Sequence, residues 1–483
     1  MAEASIKAKT VNGFKWGLID NIANQGITFL VGLVLARLLS PVEFGILGII
    51  TIFINLSITI IDGGFATALI RKADATSDDY DTVFYSNLGI SAVLMVLLCA
   101  TSDIIAEFFD QNILSVTLPV MSIVLLINAL SIVQKTILVK KLDFRTQAFI
   151  SLISSIGSAV VGIGMAMNGY GVWSLVGQQL SRQFIMMLGL WLVSNWRPRL
   201  CFSRNSFSDL FGFGSKLLAA NLINSFYKDM FLAVIGKLYS TRDLGYYNRA
   251  DQFNLIFSNN LGQVVQKISL SSLSQIQNEA DRLKASFRKF TMFTGMGTFA
   301  CVFTLAAVAE PLITILIGTK WLPCVHMLQI MSLYAAIYPL QMLNLNVLSI
   351  RKRSDRMLRL EIIKKFLFVP VIAVGFFFPL EWLLWAAVLY YYVEFFLNGW
   401  YSGELVGYST WQQVKDLLPV YIISLGVSGC VWLITLTDWS AWLQISVQLF
   451  TAAILYVGIY RAERQPEFME VWNIAISKLR ERR

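Results

Sequence analysis

Charge is scarce in this chain. Asp, Glu, Lys and Arg make up 14% of its 483 residues, where an ordinary soluble protein carries about 25%. Hydrophobic residues reach 56%, with a mean hydropathy of +0.63, and this balance excludes a soluble globular fold. The only histidine is His326, which argues against His-based metal centres and catalytic triads. The five cysteines, Cys99, Cys201, Cys301, Cys324 and Cys430, are odd in number, dispersed and mostly within apolar segments, which argues against a disulfide framework or a zinc site. No polar segment is long enough to hold a soluble catalytic domain. The first apolar segment runs past signal-peptide length without a small-residue cleavage site, so it is expected to serve as its own insertion signal. Together these absences point away from an enzyme and away from any bound cofactor.

What fills the chain is apolar sequence of membrane-spanning length. Uncharged runs cover 82–102, 111–134, 290–309, 321–350, 417–437 and 439–460, against the ~20 residues a bilayer requires. The run 146–181 is too long for one span and breaks at Asn168-Gly169-Tyr170-Gly171, a turn signal between two helices. With the segments that carry isolated charges, the fold class is an all-α polytopic membrane protein of about fourteen transmembrane helices, beginning near residues 13, 42, 82, 112, 146, 171, 209, 244, 290, 322, 361, 382, 417 and 439. Lys and Arg orient such a chain because they stay on the cytoplasmic side. On alternate segments that include both ends lie 29 of the 39 basic residues, which predicts cytoplasmic termini. The net charge of +9 then needs no nucleic acid, since a basic face toward anionic lipid heads accounts for it. In the tail 461–483, Phe468, Trp472, Ala475, Ile476 and Leu479 share one helical face beside a basic end, the pattern of an interfacial amphipathic helix.

Residues 18–45 recur 200 positions later. Leu18, Asn21, Asn24, Val34, Leu38, Ser40 and Gly45 match Leu218, Asn221, Asn224, Val234, Leu238, Ser240 and Gly245, with Arg37/Lys237 and Glu43/Asp243 as like-for-like pairs. Internal repeats of this kind build transporters. Asn21, Asn24 and Thr28 fall on one helical face, as do Asn221, Asn224 and Lys228, so both copies are expected to turn a polar stripe toward a shared interior.

Charge inside the spans marks the candidate site, because a charged residue at membrane depth costs roughly 2.5 to 3.5 kcal/mol and usually faces a cavity. Arg182, Lys216 and Lys228 supply cations; Asp20, Asp229 and Glu394 are candidates for charge pairing or for coupling to protons or sodium. Fixed ammonium and guanidinium groups suit a phosphate or pyrophosphate, and Asn21, Asn24, Asn221 and Asn224 suit sugar hydroxyls. Arg249 with Asp251, and Glu361 with Lys365, read as interfacial ion pairs.

The segment from Tyr227 to Ala250, with Lys228-Asp229 and Leu244-Gly245-Tyr246-Tyr247-Asn248, resembles the seventh-to-eighth span junction of bacterial polysaccharide exporters of the Wzx type. These belong to the multidrug/oligosaccharidyl-lipid/polysaccharide superfamily. Ala36-Arg-Leu-Leu-Ser-Pro-Val-Glu-Phe-Gly45 is similar to their first-to-second junction, and Ala68-Leu-Ile-Arg-Lys72 follows where expected. The resemblance implies a cytoplasmic segment 1–12, two pseudo-symmetric six-helix lobes at 13–195 and 209–402 around a central cavity, a linker 196–208, two further helices within 417–460 and the tail 461–483. It also implies a flippase in the bacterial inner membrane that carries undecaprenyl-pyrophosphate-linked oligosaccharide outward by alternating access. Its expected partners are that substrate, membrane lipids and polysaccharide assembly enzymes. Asp229 matches an acidic residue common in the family's seventh span, and Gly245, Tyr247 and Ala250 match packing positions at the start of the eighth. Two rival readings stay open: a drug or cation antiporter of the same superfamily, whose cavity should be dominated by carboxylates, and a membrane-embedded glycan polymerase or ligase, which should carry a sizeable outer loop.

Overall fold

The computed structural model describes residues 16, 23–72, 74–351, 353–463, 465, 467–470, 472, 473 and 477. Among them every regular element is a helix. Among the described residues nine stretches are long and apolar enough to cross a membrane, so the chain is an all-α, multi-pass membrane protein. It divides into two compact units, up to Gly245 and from Tyr246 onward.

The first unit holds α1 (Ala23–Leu38), α2 (Pro41–Asp62), α3 (Phe65–Arg71), α4 (Ser77–Phe108), α5 (Leu114–Lys140), α6 (Phe144–Met167), α7 (Val172–Val193) and α8 (Arg204–Leu238). The break expected at 168–171 is present, with Gly169 and Gly171 at φ of +78° and +54°, a backbone region open to glycine at little cost. A second break was not expected: Gly63 and Gly64, at φ of +50° and +74°, separate α2 from α3. Here α4 packs on α5, α6 on α7, and α2 on both α5 and α8. Phe65, Leu69, Val83, Phe84, Val133 and Leu210 form one core cluster, which draws α8 into this unit. The first compact unit runs to Gly245 and includes the segment 196–208. That linker is itself fastened down: Arg199 bonds Asp78 and Asp81, each at 2.9 Å, and the Ser203 amide donates to Thr82 Oγ1 at 3.0 Å.

The second unit receives α9 (Thr241–Gln275), which starts at the end of the first. It continues with α10 (Ala280–Ala307), α11 (Ala309–Leu316), α12 (Pro323–Ala335), α13 (Tyr338–Ile350), α14 (Ser354–Phe377), α15 (Leu380–Val406), α16 (Thr410–Leu433) and α17 (Ala441–Ala462). The run 321–350, read from sequence as one span, is one stretch of membrane-crossing length, Pro323–Ile350, built of two 13-residue helices. Pro339 near the start of α13 has no amide hydrogen to continue the preceding helix. Met292, Phe299, Phe303, Leu340, Phe395 and Val420 belong to one core cluster of this unit. Of the expected interfacial tail, Ala475, Ile476 and Leu479 lie outside the described residues. Phe468 packs on Tyr460 at 5.6 Å between ring centroids, and Glu470 pairs with Lys289 at 2.7 Å, so this portion lies against protein.

In lipid, helices associate through close packing, and small residues let backbones meet. The sequence repeat contains such a meeting. A Cβ placed on Gly45 would lie 1.7 Å from the Thr241 carbonyl oxygen, and one on Gly245 would lie 1.9 Å from that of Pro41. The two matched glycines therefore mark a reciprocal backbone crossing of the repeat junctions. The matched serines and acids are helix caps: the Ser40 amide donates to the Glu43 carboxylate, and Ser240 Oγ accepts from the Asp243 amide at 3.0 Å. Ser240→Ala is expected to cost about 1 kcal/mol, read as a lowered thermal midpoint of the purified protein; an unchanged midpoint would remove the cap from the account.

Candidate functional site

The polar face of α8 is built by helical spacing. At about 100° per residue, Lys216, Asn221, Asn224 and Lys228 fall within an arc of about 140°, and all four are exposed. The first unit thus presents two ammonium groups and two amides along one stripe, able to donate hydrogen bonds to an oxyanion and to hydroxyls.

Asp229 follows Lys228 in sequence and faces elsewhere. It is 5% exposed and lines an apolar pocket with residues of α2 and α4. Its Oδ2 has no hydrogen-bond partner. The remaining candidates are dispersed. Asn24, repeat mate of Asn224, is held against α6: its Nδ2 donates to Ser151 Oγ at 2.6 Å and its Oδ1 accepts from Ser155 Oγ at 2.6 Å. Arg182 is half-buried on α7, whose helical neighbours include α2, α5 and α6. Asp20 and Asn21 lie outside the described residues.

Glu394 belongs to a buried ion network in the second unit. Lys364, only 3% exposed, reaches Glu361 at 2.8 Å and Glu394 at 3.0 Å. The expected pairing of Glu361 with Lys365 left out Lys364, which also meets Glu361. Spacings of three and four residues both bring helical side chains together, and only the packing of α14 on α15 selects the lysine that also meets Glu394. Arg249, likewise expected at the interface, is 3% exposed. Its guanidinium stands 5.4 Å from the Trp321 ring centroid and bonds Gln252. The guanidinium stacks on the indole face, a placement that spacing alone does not reveal.

A further network was missed because its acids precede an apolar run and read as a solvated helix start. Lys72 bonds Asp79 at 3.0 Å and Asp209 at 3.2 Å. The Asp79 hydrogen bond, helped by Asp209, raises the Lys72 ammonium above its ordinary range against the opposing effect of burial. Together with Arg199 it ties the start of α4 to α8 and to the linker. Among the described residues no group of three His, Cys, Asp or Glu could hold a metal ion.

Comparison with known proteins agrees with this architecture. The family described as "Polysaccharide biosynthesis protein" matches residues 34–326. The succinoglycan biosynthesis transport protein ExoT of Rhizobium meliloti is 26% identical over 318 residues, 66% of this chain and 64% of ExoT; the chain thus spans slightly under two thirds of that relative. The lipopolysaccharide biosynthesis protein WzxC of Escherichia coli is 22% identical over 377 residues, 77% of this chain and 76% of WzxC. Among solved structures, a lipid II flippase MurJ superposes with a TM-score of 0.73 at 16% identity, over 94% of this chain and 100% of that one, which shows a shared fold. With its family match covering more than half of its length, the chain belongs to the polysaccharide biosynthesis protein family.

Proposed function

We propose that this protein is a transporter that moves a lipid-linked oligosaccharide across the bacterial inner membrane, with an undecaprenyl-pyrophosphate carrier as the substrate class. The observation that carries this reading is the exposed stripe Lys216, Asn221, Asn224 and Lys228 on α8, in a member of a polysaccharide family. Pyrophosphate oxygens accept charge-assisted hydrogen bonds from the two lysines, and the amides of Asn221 and Asn224 serve sugar hydroxyls. Arg182 adds a third cation within the spans. The direction is outward from the cytoplasmic leaflet, by alternating access through fourteen spans with both termini inside. Such a substrate connects the protein to the enzymes that assemble and polymerise the glycan. Asp20, Asp229 and Glu394 are the acids available for proton or sodium coupling; Glu394 is already tied to Lys364. A drug or cation antiporter is disfavoured, because the stripe is basic and would repel a cationic cargo there.

The test is the distribution of lipid-linked glycan between the two faces of the inner membrane in cells carrying Lys216→Ala/Lys228→Ala. The expected result is glycan trapped on the cytoplasmic face, with export reduced at least about tenfold, since losing charge-assisted bonds removes roughly 1.5 to 3 kcal/mol each. Unchanged export by the correctly inserted variant removes the stripe from the site. Glycan that reaches the outer face unpolymerised would transfer the assignment to polymerisation.

A further inference from the structure

Helix α9 of the second unit carries its polar side chains in an ordered way. Its 35 residues make about 52 Å at about 1.5 Å per residue, enough to cross the ~30 Å hydrocarbon core, yet it is not among the apolar stretches of spanning length. At about 100° per residue, Asn248, Gln252, Asn259, Gln263 and Gln266 fall within an arc of about 60°. Between positions 248 and 266 no other residue enters that arc, so one edge of the helix is a row of amides about 27 Å long. Gln266 is exposed and the other four are half-buried. The packing of α9 on α12 and α13 uses another side: Asn254 Nδ2 donates to the Leu328 carbonyl at 3.3 Å, and Ser269 Oγ accepts from Asn346 Nδ2 at 2.8 Å. Those two positions stand about 90 to 150° from the centre of the row.

A polar face on a helix of spanning length is kept where it meets water, because lipid would leave its groups without partners. The residue type then selects the ligand. An oxyanion calls for cations, whereas an amide is uncharged and, like a hydroxyl, both donates and accepts hydrogen bonds. A row of five, spaced along the helix, suits an extended ligand that offers hydroxyl groups at many points. We infer that this edge of α9 is a glycan-recognition face, on which the five amides bond the hydroxyls of several successive sugars of an oligosaccharide. The inference rests on the lipid-linked glycan reading and deepens it: the lysines of α8 answer the pyrophosphate of the carrier, and α9 makes affinity grow with the number of sugars attached.

The experiment measures binding of three probes to the full-length protein in nanodiscs: bare undecaprenyl pyrophosphate, the same carrier with one sugar, and the carrier with the full oligosaccharide extracted from the native host. Affinity is expected to rise along the series, by at least about tenfold from one sugar to the full oligosaccharide, since each neutral hydrogen bond is worth roughly 2- to 10-fold. Asn259→Leu/Gln263→Leu/Gln266→Leu should flatten the series and leave the bare carrier within a few-fold of wild type, because that probe offers no hydroxyls. Lys216→Ala/Lys228→Ala should weaken all three probes alike and keep the rise. A flat series in the wild type, or a wild-type rise in the folded triple variant, overturns the α9 face while binding of the bare carrier upholds the transport reading. Failure of all three probes to bind overturns both. If the triple variant does not insert, Gln263→Leu alone, expected to lose about 2- to 10-fold of the rise, and the wild-type series decide.

Discussion

Gly45→Ala and Gly245→Ala are each expected to abolish recovery of monodisperse protein, although each adds a single methyl group. The new Cβ would stand 1.7 Å from the Thr241 carbonyl oxygen in the first case and 1.9 Å from that of Pro41 in the second. Overpacking costs about 1 to 3 kcal/mol when side chains can shift rotamer. Here the obstacle is main chain, so two helix starts must separate and α2 must leave its place on α8. A loss above about 3 kcal/mol is large against the roughly 5 to 15 kcal/mol that holds a folded protein together. Gly89→Ala is the control, since a Cβ there meets nothing within 4 Å and replaces a poor helix former, gaining up to about 1 kcal/mol. Fluorescence-detected size exclusion and thermal unfolding of the three variants side by side check this. Normal recovery of Gly45→Ala would mean that the junctions do not cross at backbone contact.

Lys364→Met is expected to destabilise the second unit by about 3 to 5 kcal/mol, the effect of removing one member of a buried ion pair. Lys364 is 3% exposed and serves two carboxylates, Glu361 and Glu394, whose side chains are 34% and 14% exposed. Methionine fills similar volume, so the loss is electrostatic: Glu394 would be left in the interior without the ammonium it bonds. Lys364→Met/Glu394→Gln should recover at least half of the loss, because the amide carries no charge to desolvate. The thermal midpoint of the single and double variants is the readout. Equal midpoints for both would show that Glu394 does not depend on Lys364.

Much of the architecture could be read before any coordinates. Apolar runs announced the spans, the Asn168–Gly171 turn separated α6 from α7, and helical spacing predicted that Asn221, Asn224 and Lys228 would share a face, as they do on α8. These are properties of one segment at a time, set by side-chain hydropathy and by the period of the helix. Where two elements had to be chosen together, the residues alone left several answers. Lys364 and Lys365 were equally placed to meet Glu361, and only the packing of α14 on α15 singled out the one that also meets Glu394.

The repeat shows the same division most clearly. From sequence, residues 18–45 and 218–245 read as copies, both with asparagines on a helical face and with Ser40/Ser240, Glu43/Asp243 and Gly45/Gly245 in matching places. Tertiary structure decided what each copy does. Asn24 meets Ser151 and Ser155 because α6 lies beside α1, while Asn224 stays exposed on α8. Lys228 and Asp229 sit about 100° apart on any helix, but which of them stays exposed and which turns into the pocket depends on where α2 and α4 stand. Gly45 and Gly245 matched as letters; their need to be glycine arises because the two junctions touch, a fact held by neither segment alone.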